Sequence, residues 1–438
     1  MASTSEESLW SATAAPLAPL PALREAVRAQ VAVIGAGYTG LSAALHLGQA
    51  GRDVVVLDAL ELGDGASGRN GGQVIPGLKY DPDTLEAMYG GDQGAKLVAT
   101  VAAGPDLVFD LIRKHGIACE AVRSGWLQLA TSERALGPIG RRVRQWQARG
   151  AAVEMLSPAD VLRLTGSQRY YGGLIDRRGG TVQPLAYVRG LARAAQRAGV
   201  RLFAHSAATH LERSAGEWRI RTRDGSVSCR QVVFATNAYS DKFVEPLQRT
   251  LVAVPSMQVA TAPLPAELRR SILPEGQSVS DTWRLLRYFR LDAQGHLIMG
   301  SRGVFGDAPL VQAARLHYRA VREIYPQLAG ISYQYHWAGF VAMTPDHLPH
   351  LHEVAPGIVA GLGYNGRGVA MATMMGTLLA RRLLGENAED LGFPATPVRP
   401  MRLHRFSRFG AAAAIQYLRA LDELARFAER FRRRKGTM

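Results

Sequence analysis

The chain has 438 residues, 47% of them apolar, enough to bury a sizeable core as a two-lobed enzyme or two to three domains. No apolar run approaches the ~20 residues that span a bilayer, the polar opening MASTSEESLW is unlike a signal peptide, and two cysteines, Cys119 and Cys229, exclude a disulfide framework and fit a reducing cytoplasm. The net charge of +15 is uneven: from Arg399 onward ten arginines and one lysine face three acids, about half of the excess, which argues against a nucleic-acid groove across the body.

Residues 1–28 carry Pro16, Pro19 and Pro21 among alanines and leucines and are expected to form an extended arm on the surface. Val31–Ile34 is a short apolar run, as in a buried parallel strand. Gly35, Gly37 and Gly40 follow in the spacing G-x-G-x-x-G, with Ala36, Tyr38 and Thr39 between them, and Leu41, Ala44, Leu45 and Leu47 then recur at helical intervals. A second apolar strand, Val54–Leu57, ends at Asp58-Ala59. Glycines in a strand-to-helix turn let the backbone approach a pyrophosphate, the helix dipole favours its charge, and a terminal acid accepts from ribose hydroxyls. This stretch is therefore a dinucleotide site.

The loop Gly63–Gly77 has six glycines in fifteen residues. Following the ribose acid, it lies along the cofactor, with Gly65, Ala66, Ser67, Arg69, Asn70, Gly71, Gly72 and Gln73 offering donors among residues too small to block a flat ring. A nicotinamide does not need such a loop, whereas FAD can use it.

At this point the chain resembles a known family. VIGAGYTGLSAALHL, VVVLDA and GASGRNGGQ are similar to the FAD-dependent amine and amino-acid oxidoreductases of the glycine/D-amino-acid oxidase superfamily. Within it, SLW near the N-terminus and GRNGGQ look most like the gamma-glutamylputrescine oxidoreductases. The resemblance implies a glutathione-reductase-type flavoprotein: an α/β, Rossmann-like FAD-binding domain (29–117, 180–250 and 335–390) and a second, mainly antiparallel-sheet substrate domain (118–179 and 251–334). The arm, 1–28, and a basic helical tail, 391–438, lie outside both.

Residues 82–117 read as amphipathic helices broken at Gly104-Pro105, GWLQLAT as a strand, and 133–149 as a helix whose arginines form a solvated face. Gly179–Phe203 is a turn, a helix and a return strand, by resemblance the way back to the nucleotide lobe, after which Ala208 passes the adenine. Trp218–Thr222 and Ser226–Cys229 form a hairpin around Asp224-Gly225. The strand ending in Ala235, Thr236 and Asn237 resembles an element that passes near the pyrophosphate. Alternation from Leu251 to about Tyr333 suggests the sheet of the second lobe. There Tyr288 and Arg290 share a face by period two, and they, Trp337 and Arg302 are expected to position substrate, a guanidinium being suited to a carboxylate.

Trp337–Pro349 resembles the family's second approach to the flavin ring. Some relatives carry a cysteine there that bonds to flavin; this chain has Gly339, which implies non-covalent FAD. His347, His350 and His352 are read as surface or structural, and no metal is expected. Gly363, Tyr364, Asn365, Gly366, Arg367, Gly368 and Val369 repeat the opening device of strand, glycine turn and helix start, facing the ring. Residues 411–434 place Ile415, Leu418, Leu421, Leu424, Phe427 and Phe431 on one stripe, a helix either docked on the body or lying on a membrane.

The implied chemistry is oxidation of an amine or amino acid, with a gamma-glutamylputrescine-like or related substrate, by hydride loss from the amine-bearing carbon, the imine then hydrolysing. No acid–base residue is assigned, since none is required if the amine arrives neutral. The electrons go to oxygen or a quinone. Alternatives are a D-amino-acid or sarcosine-type dehydrogenase passing electrons to a quinone, a flavoenzyme acting on tRNA, and an electron carrier. No nucleic-acid partner is expected, and the location is cytoplasmic, with a peripheral membrane contact through the C-terminal helix left open.

Overall fold

A computed structural model describes residues 7–435 except 215, 304 and 306–308; the side chains of 427–435, which include Phe427 and Phe431 of the expected stripe, lie outside the described set. Among the described residues two large sheets and two small ones organise the chain, as expected for this mixed α/β class. The first has six strands in the order His350–Ala355, Ile358–Leu362, Gln231–Phe234, Val31–Ile34, Val54–Leu57, Arg201–Phe203. All its pairings are parallel except that between the first two. Its central strands are buried along their length, which is why they read as unbroken apolar runs.

Two helices cross on this sheet, Tyr38–Gln49 and Gly368–Leu383. They meet at Gly376, whose added Cβ would lie 2.4 Å from the Thr39 carbonyl oxygen, and Ser42 Oγ donates to Thr373 O at 2.7 Å. Both helices begin where glycine turns leave parallel strands, Val31–Ile34 and Ile358–Leu362, on either side of Gln231–Phe234, so both N-termini point to one end of the sheet.

The second sheet has eight strands: Tyr333–Met343, Val252–Pro263, His296–Arg302, Tyr288–Leu291, Ser278–Asp281, Trp126–Leu129, Gly173–Asp176 and Val153–Leu156. It is antiparallel save for the pairing of Ser278–Asp281 with Trp126–Leu129. The Tyr333–Met343 strand pairs with Val252–Pro263 along its whole length, so this sheet continues past the boundary expected at 334. The hairpin around Asp224-Gly225 forms a four-stranded sheet with His210–Ser214 and with Ala26–Arg28.

Three expectations are corrected. The N-terminal segment is irregular and largely exposed over 14–25, but it does not lie on the surface throughout: Leu9–Thr13 is a helical turn capped by Ser8, with Leu9 and Trp10 fully buried. Trp10 Nε1 donates to Asn70 O at 2.9 Å, its own carbonyl accepts from Gln183 Nε2 at 2.9 Å, and its ring meets Trp337 edge-on at 5.6 Å. The prolines punctuate only the chain that follows. The arginines of 133–149 are also not uniformly solvated. Arg142 pairs with Asp81 and donates to Gln128 Oε1 at 2.7 Å, while Arg149 clamps Asp83 and Glu86. Finally, the C-terminal helix runs longer than expected, Ser407–Lys435, and its buried line is Ile415 and Asp422, while Leu424 faces outward.

Candidate functional site

A cavity of about 680 Å³ runs from the glycine turns of the six-stranded sheet to the face of the eight-stranded one. Segments distant in sequence wall it. At the first end, Gly35 has φ +103°, and an added Cβ would sit 2.8 Å from Ala235 O. Gly40 would place a Cβ 1.9 Å from Gly35 O. The first glycine makes the turn and the third lets helix and turn touch, so Gly40 itself lies behind the wall. Ser67 Oγ accepts from Tyr38 N at 3.0 Å, which joins the glycine-rich loop to the helix start.

Asp58 lines this end. Its Oδ2 accepts from Ala36 N at 2.7 Å and Oδ1 from Leu60 N at 3.0 Å, leaving lone pairs for further donors. Burial raises its pKa, against which these amides pull down. Ala59, Ala208, Ala235, Thr236 and Asn237 complete the wall.

The middle is the loop Gly65–Gln73, of which all the expected residues except Gly72 line the cavity. Asn70 is its internal brace: Nδ2 donates to Ser67 O at 2.9 Å and Oδ1 accepts from Gly72 N at 2.8 Å. Opposite stand Gly339 and the turn Tyr364–Val369, while Gly363 sits behind it, its N–H donating to Asn237 Oδ1 at 2.9 Å.

The far end is built from side chains. Tyr288 and Arg302 line it as expected; Arg290 and Trp337 do not. The period-two face holds, but the glycine loop covers it after Tyr288. Arg290 Nε donates to Gly71 O and Nη2 to Val182 O, each at 2.8 Å, and its guanidinium lies 4.9 Å from the Trp10 ring. Trp337 Nε1 donates to Arg69 O at 3.0 Å. Both residues hold the loop from beneath.

Other groups at this end went unnoticed in the sequence. Ser256 and Gln258 alternate on one strand face; Ser256 Oγ lies 3.0 Å from Tyr288 OH, and buried Gln258 Oε1 has no hydrogen-bond partner among the described residues. Lys79, at the exposed rim, and Arg142 also line the cavity. Arg367 is stacked 5.4 Å from the Trp126 ring and donates to Pro76 O. Burial lowers the pKa of Arg302, of Arg367 and, with help from both arginines, of Lys79. Arg142 is neutralised by Asp81 and cavity-lining Asp281 is taken by Arg287. Lys79, Arg302 and Arg367 have no ion-pair partner among the described residues, so this end is net positive. The strand pattern of 252–263 could have pointed to Gln258; Lys79 left no signal beyond following Gly77.

Residues 30–382 match the family described as "FAD dependent oxidoreductase", DAO. The chain is 34% identical over 412 residues to "Gamma-glutamylputrescine oxidoreductase" of Escherichia coli (strain K12), covering 92% of this chain and 96% of that protein. This chain belongs to the DAO family of FAD-dependent oxidoreductases. A more distant relative is "D-amino acid dehydrogenase" of Methylobacterium sp. (strain 4-46), 25% identical over 82% of this chain and 96% of that one. Among solved structures, glycine oxidase from Geobacillus kaustophilus superposes with a TM-score of 0.71 at 21% identity, covering 84% of this chain and 99% of that one.

The cavity of this DAO enzyme fits its FAD. Two helix N-termini and a turn with no room for a Cβ line it, Asp58 has acceptor capacity left over, and Gln258 Oε1 is buried without a donor. Neither cysteine and, among the described residues, no histidine lines the cavity, in keeping with FAD held without a thioether or imidazole link. His350 lies instead against Asp346 at 2.9 Å, and His352 Nδ1 lies 2.7 Å from Thr396 O. His350 and His352, read from the sequence as surface or structural, thus serve as braces beside the strand that carries them.

Proposed function

We propose that this enzyme oxidises an amine that also bears a carboxylate, of the gamma-glutamylputrescine or amino-acid kind named in its relatives. The observation that carries this reading is the net positive far end of the cavity, where Lys79, Arg302 and Arg367 lack acidic partners and Gln258 Oε1 lacks a donor. Half-buried cations such as Arg302 and Arg367 are costly without counter-charges, and an anionic ligand removes that cost. Arg302 and Lys79 hold the carboxylate; Gln258, Ser256 and Tyr288 accept from the amine and orient its carbon. Gly35–Thr39, Asp58 and the loop Gly65–Gln73 hold the adenosine and diphosphate of FAD. When bound, FAD supplies the hydride acceptor. Deprotonation of the incoming ammonium needs only water if Gln258 and Tyr288 bind the neutral form. The final electron acceptor in this reading is oxygen or a quinone, and the enzyme works in the cytoplasm.

Anaerobic mixing of the holoenzyme with primary amines, gamma-glutamylputrescine, N-methyl amino acids and D-amino acids tests the reaction class. At least one carboxylate-bearing amine should bleach the flavin. A flavin that stays yellow with all of them sinks amine oxidation.

A further inference from the structure

The C-terminal helix Ser407–Lys435 has two faces of opposite character. One is seated on the body. Ile415 and Asp422 are buried there, and Asp422 accepts from Arg284 N at 3.3 Å and Leu285 N at 3.0 Å. Arg426 lies 5.0 Å from the Trp283 ring, and Glu423 pairs with Arg319 at 3.5 Å. The seating is thus largely polar, which explains why an apolar stripe did not find it.

The other face is apolar and open. Phe409, Ala413, Tyr417, Ala420 and Leu424 follow one another at steps of three and four, so they lie on one side of the helix, roughly opposite Ile415 and Asp422. Phe409 is 76%, Tyr417 65% and Leu424 67% exposed. Phe406 and Leu403, just before the helix, are 50% and 69% exposed. The ridge from Phe406 to Leu424 extends roughly 27 Å at the helical rise of 1.5 Å per residue. A patch of this size at a surface marks an interaction site.

We propose that this ridge docks on an anionic lipid surface, with the helix lying in the plane of the interface. Charge decides the occupant. Arg402, Arg405 and Arg408 are exposed beside the start of the ridge, and residues 399–438 carry ten arginines and one lysine against three acids. A second copy of this chain would bring two such basic segments face to face, whereas anionic headgroups attract them. No described helix is long and apolar enough to cross a membrane, so the contact is peripheral. Asp422 ties the helix to the segment Trp283–Leu286, three of whose residues line the catalytic cavity. Docking therefore leaves the helix between the lipid and that edge of the cavity.

Vesicle flotation of the full-chain holoenzyme tests this without reference to the oxidised substrate. Vesicles of phosphatidylcholine with a quarter phosphatidylglycerol should bind the protein about tenfold more tightly than phosphatidylcholine alone. The triple change Phe409→Ser, Tyr417→Ser, Leu424→Ser should abolish binding while bound flavin and thermal stability stay as in the wild type, all three side chains being outside the core. Absence of binding to the anionic vesicles overturns the proposal. So does undiminished binding of the triple variant, which would mean adsorption by basicity alone. A wild-type dimer that the triple change makes monomeric also overturns it, since a second copy would then cover the ridge.

Discussion

The two ends of the cavity are made of different materials. The end at the six-stranded sheet is mostly main chain: glycine turns, strand ends and helix N-termini, with the Asp58 carboxylate on the ribose side. The end at the eight-stranded sheet is side chain: Tyr288, Gln258, Arg302, Lys79 and Arg367, brought together from segments nearly three hundred residues apart. Main-chain recognition needs a backbone path that only certain residues permit, so it is rigid and intolerant. Side-chain recognition is adjustable one residue at a time. Changes at the first end should therefore cost bound FAD, abolishing the holoenzyme where they disturb the main chain, and changes at the second should alter only what it accepts.

Gly40→Ala is the severest way to break that division. Its Cβ would overlap Gly35 O, and main chain cannot step aside, so destabilisation of about 3 kcal/mol or more and loss of bound FAD are expected. Flavin content after purification, together with the melting temperature, reads both. Trp10→Ala comes next, at about 3–5 kcal/mol, because a fully buried indole and its hydrogen bond to Asn70 are lost from beneath the loop. Denaturant titration measures it; an effect under about 1 kcal/mol would show the N-terminal turn to be peripheral after all.

Asp58→Asn should leave the fold intact and weaken FAD binding about tenfold to a hundredfold in reconstitution of apoprotein. The same residue gives a pH signature. Burial raises its pKa, so FAD affinity is full at neutral pH and is lost as pH falls through that raised value, sooner than for an ordinary carboxylate. In the Asn variant the acid limb should vanish. Lys79→Met is the mildest change: at the exposed rim, its loss should raise KM a few-fold for a carboxylate-bearing amine, with kcat and flavin content unchanged. Because burial lowers the Lys79 pKa, the wild-type advantage should hold at neutral pH and fade as alkaline pH deprotonates the lysine.

The same contrast decides what could be read from the sequence. Gly35, Gly37, Gly40 and Asp58 were legible because a strand, a tight turn and a helix impose a local spacing on residue type. The turn Tyr364–Val369 was legible for the same reason. Arg290 shows the limit: period two put it correctly on the face of Tyr288, but no local rule says that the Gly71–Gly72 loop would cover that face. Lys79 and Gln258 act only through a meeting of distant segments; the strand alternation around Gln258 gives its face but not what it faces, and nothing in the neighbours of Lys79 marks it. Trp10 was hidden by composition, since three prolines made its surroundings look extended. The C-terminal helix was legible as a helix, but its seated face is set by Asp422 on main-chain amides, an interaction without apolar periodicity.

The most direct measurement is anaerobic flavin reduction of wild type and Arg302→Met by an amine that bears a carboxylate and by its counterpart lacking only that group. Wild type should reach half-saturation with the carboxylate-bearing amine at a concentration about tenfold lower than with its counterpart, and Arg302→Met should erase the difference while keeping its FAD. Equal half-saturation for the two amines in the wild type, or an undiminished difference in the variant, would contradict an anion-binding end to this cavity.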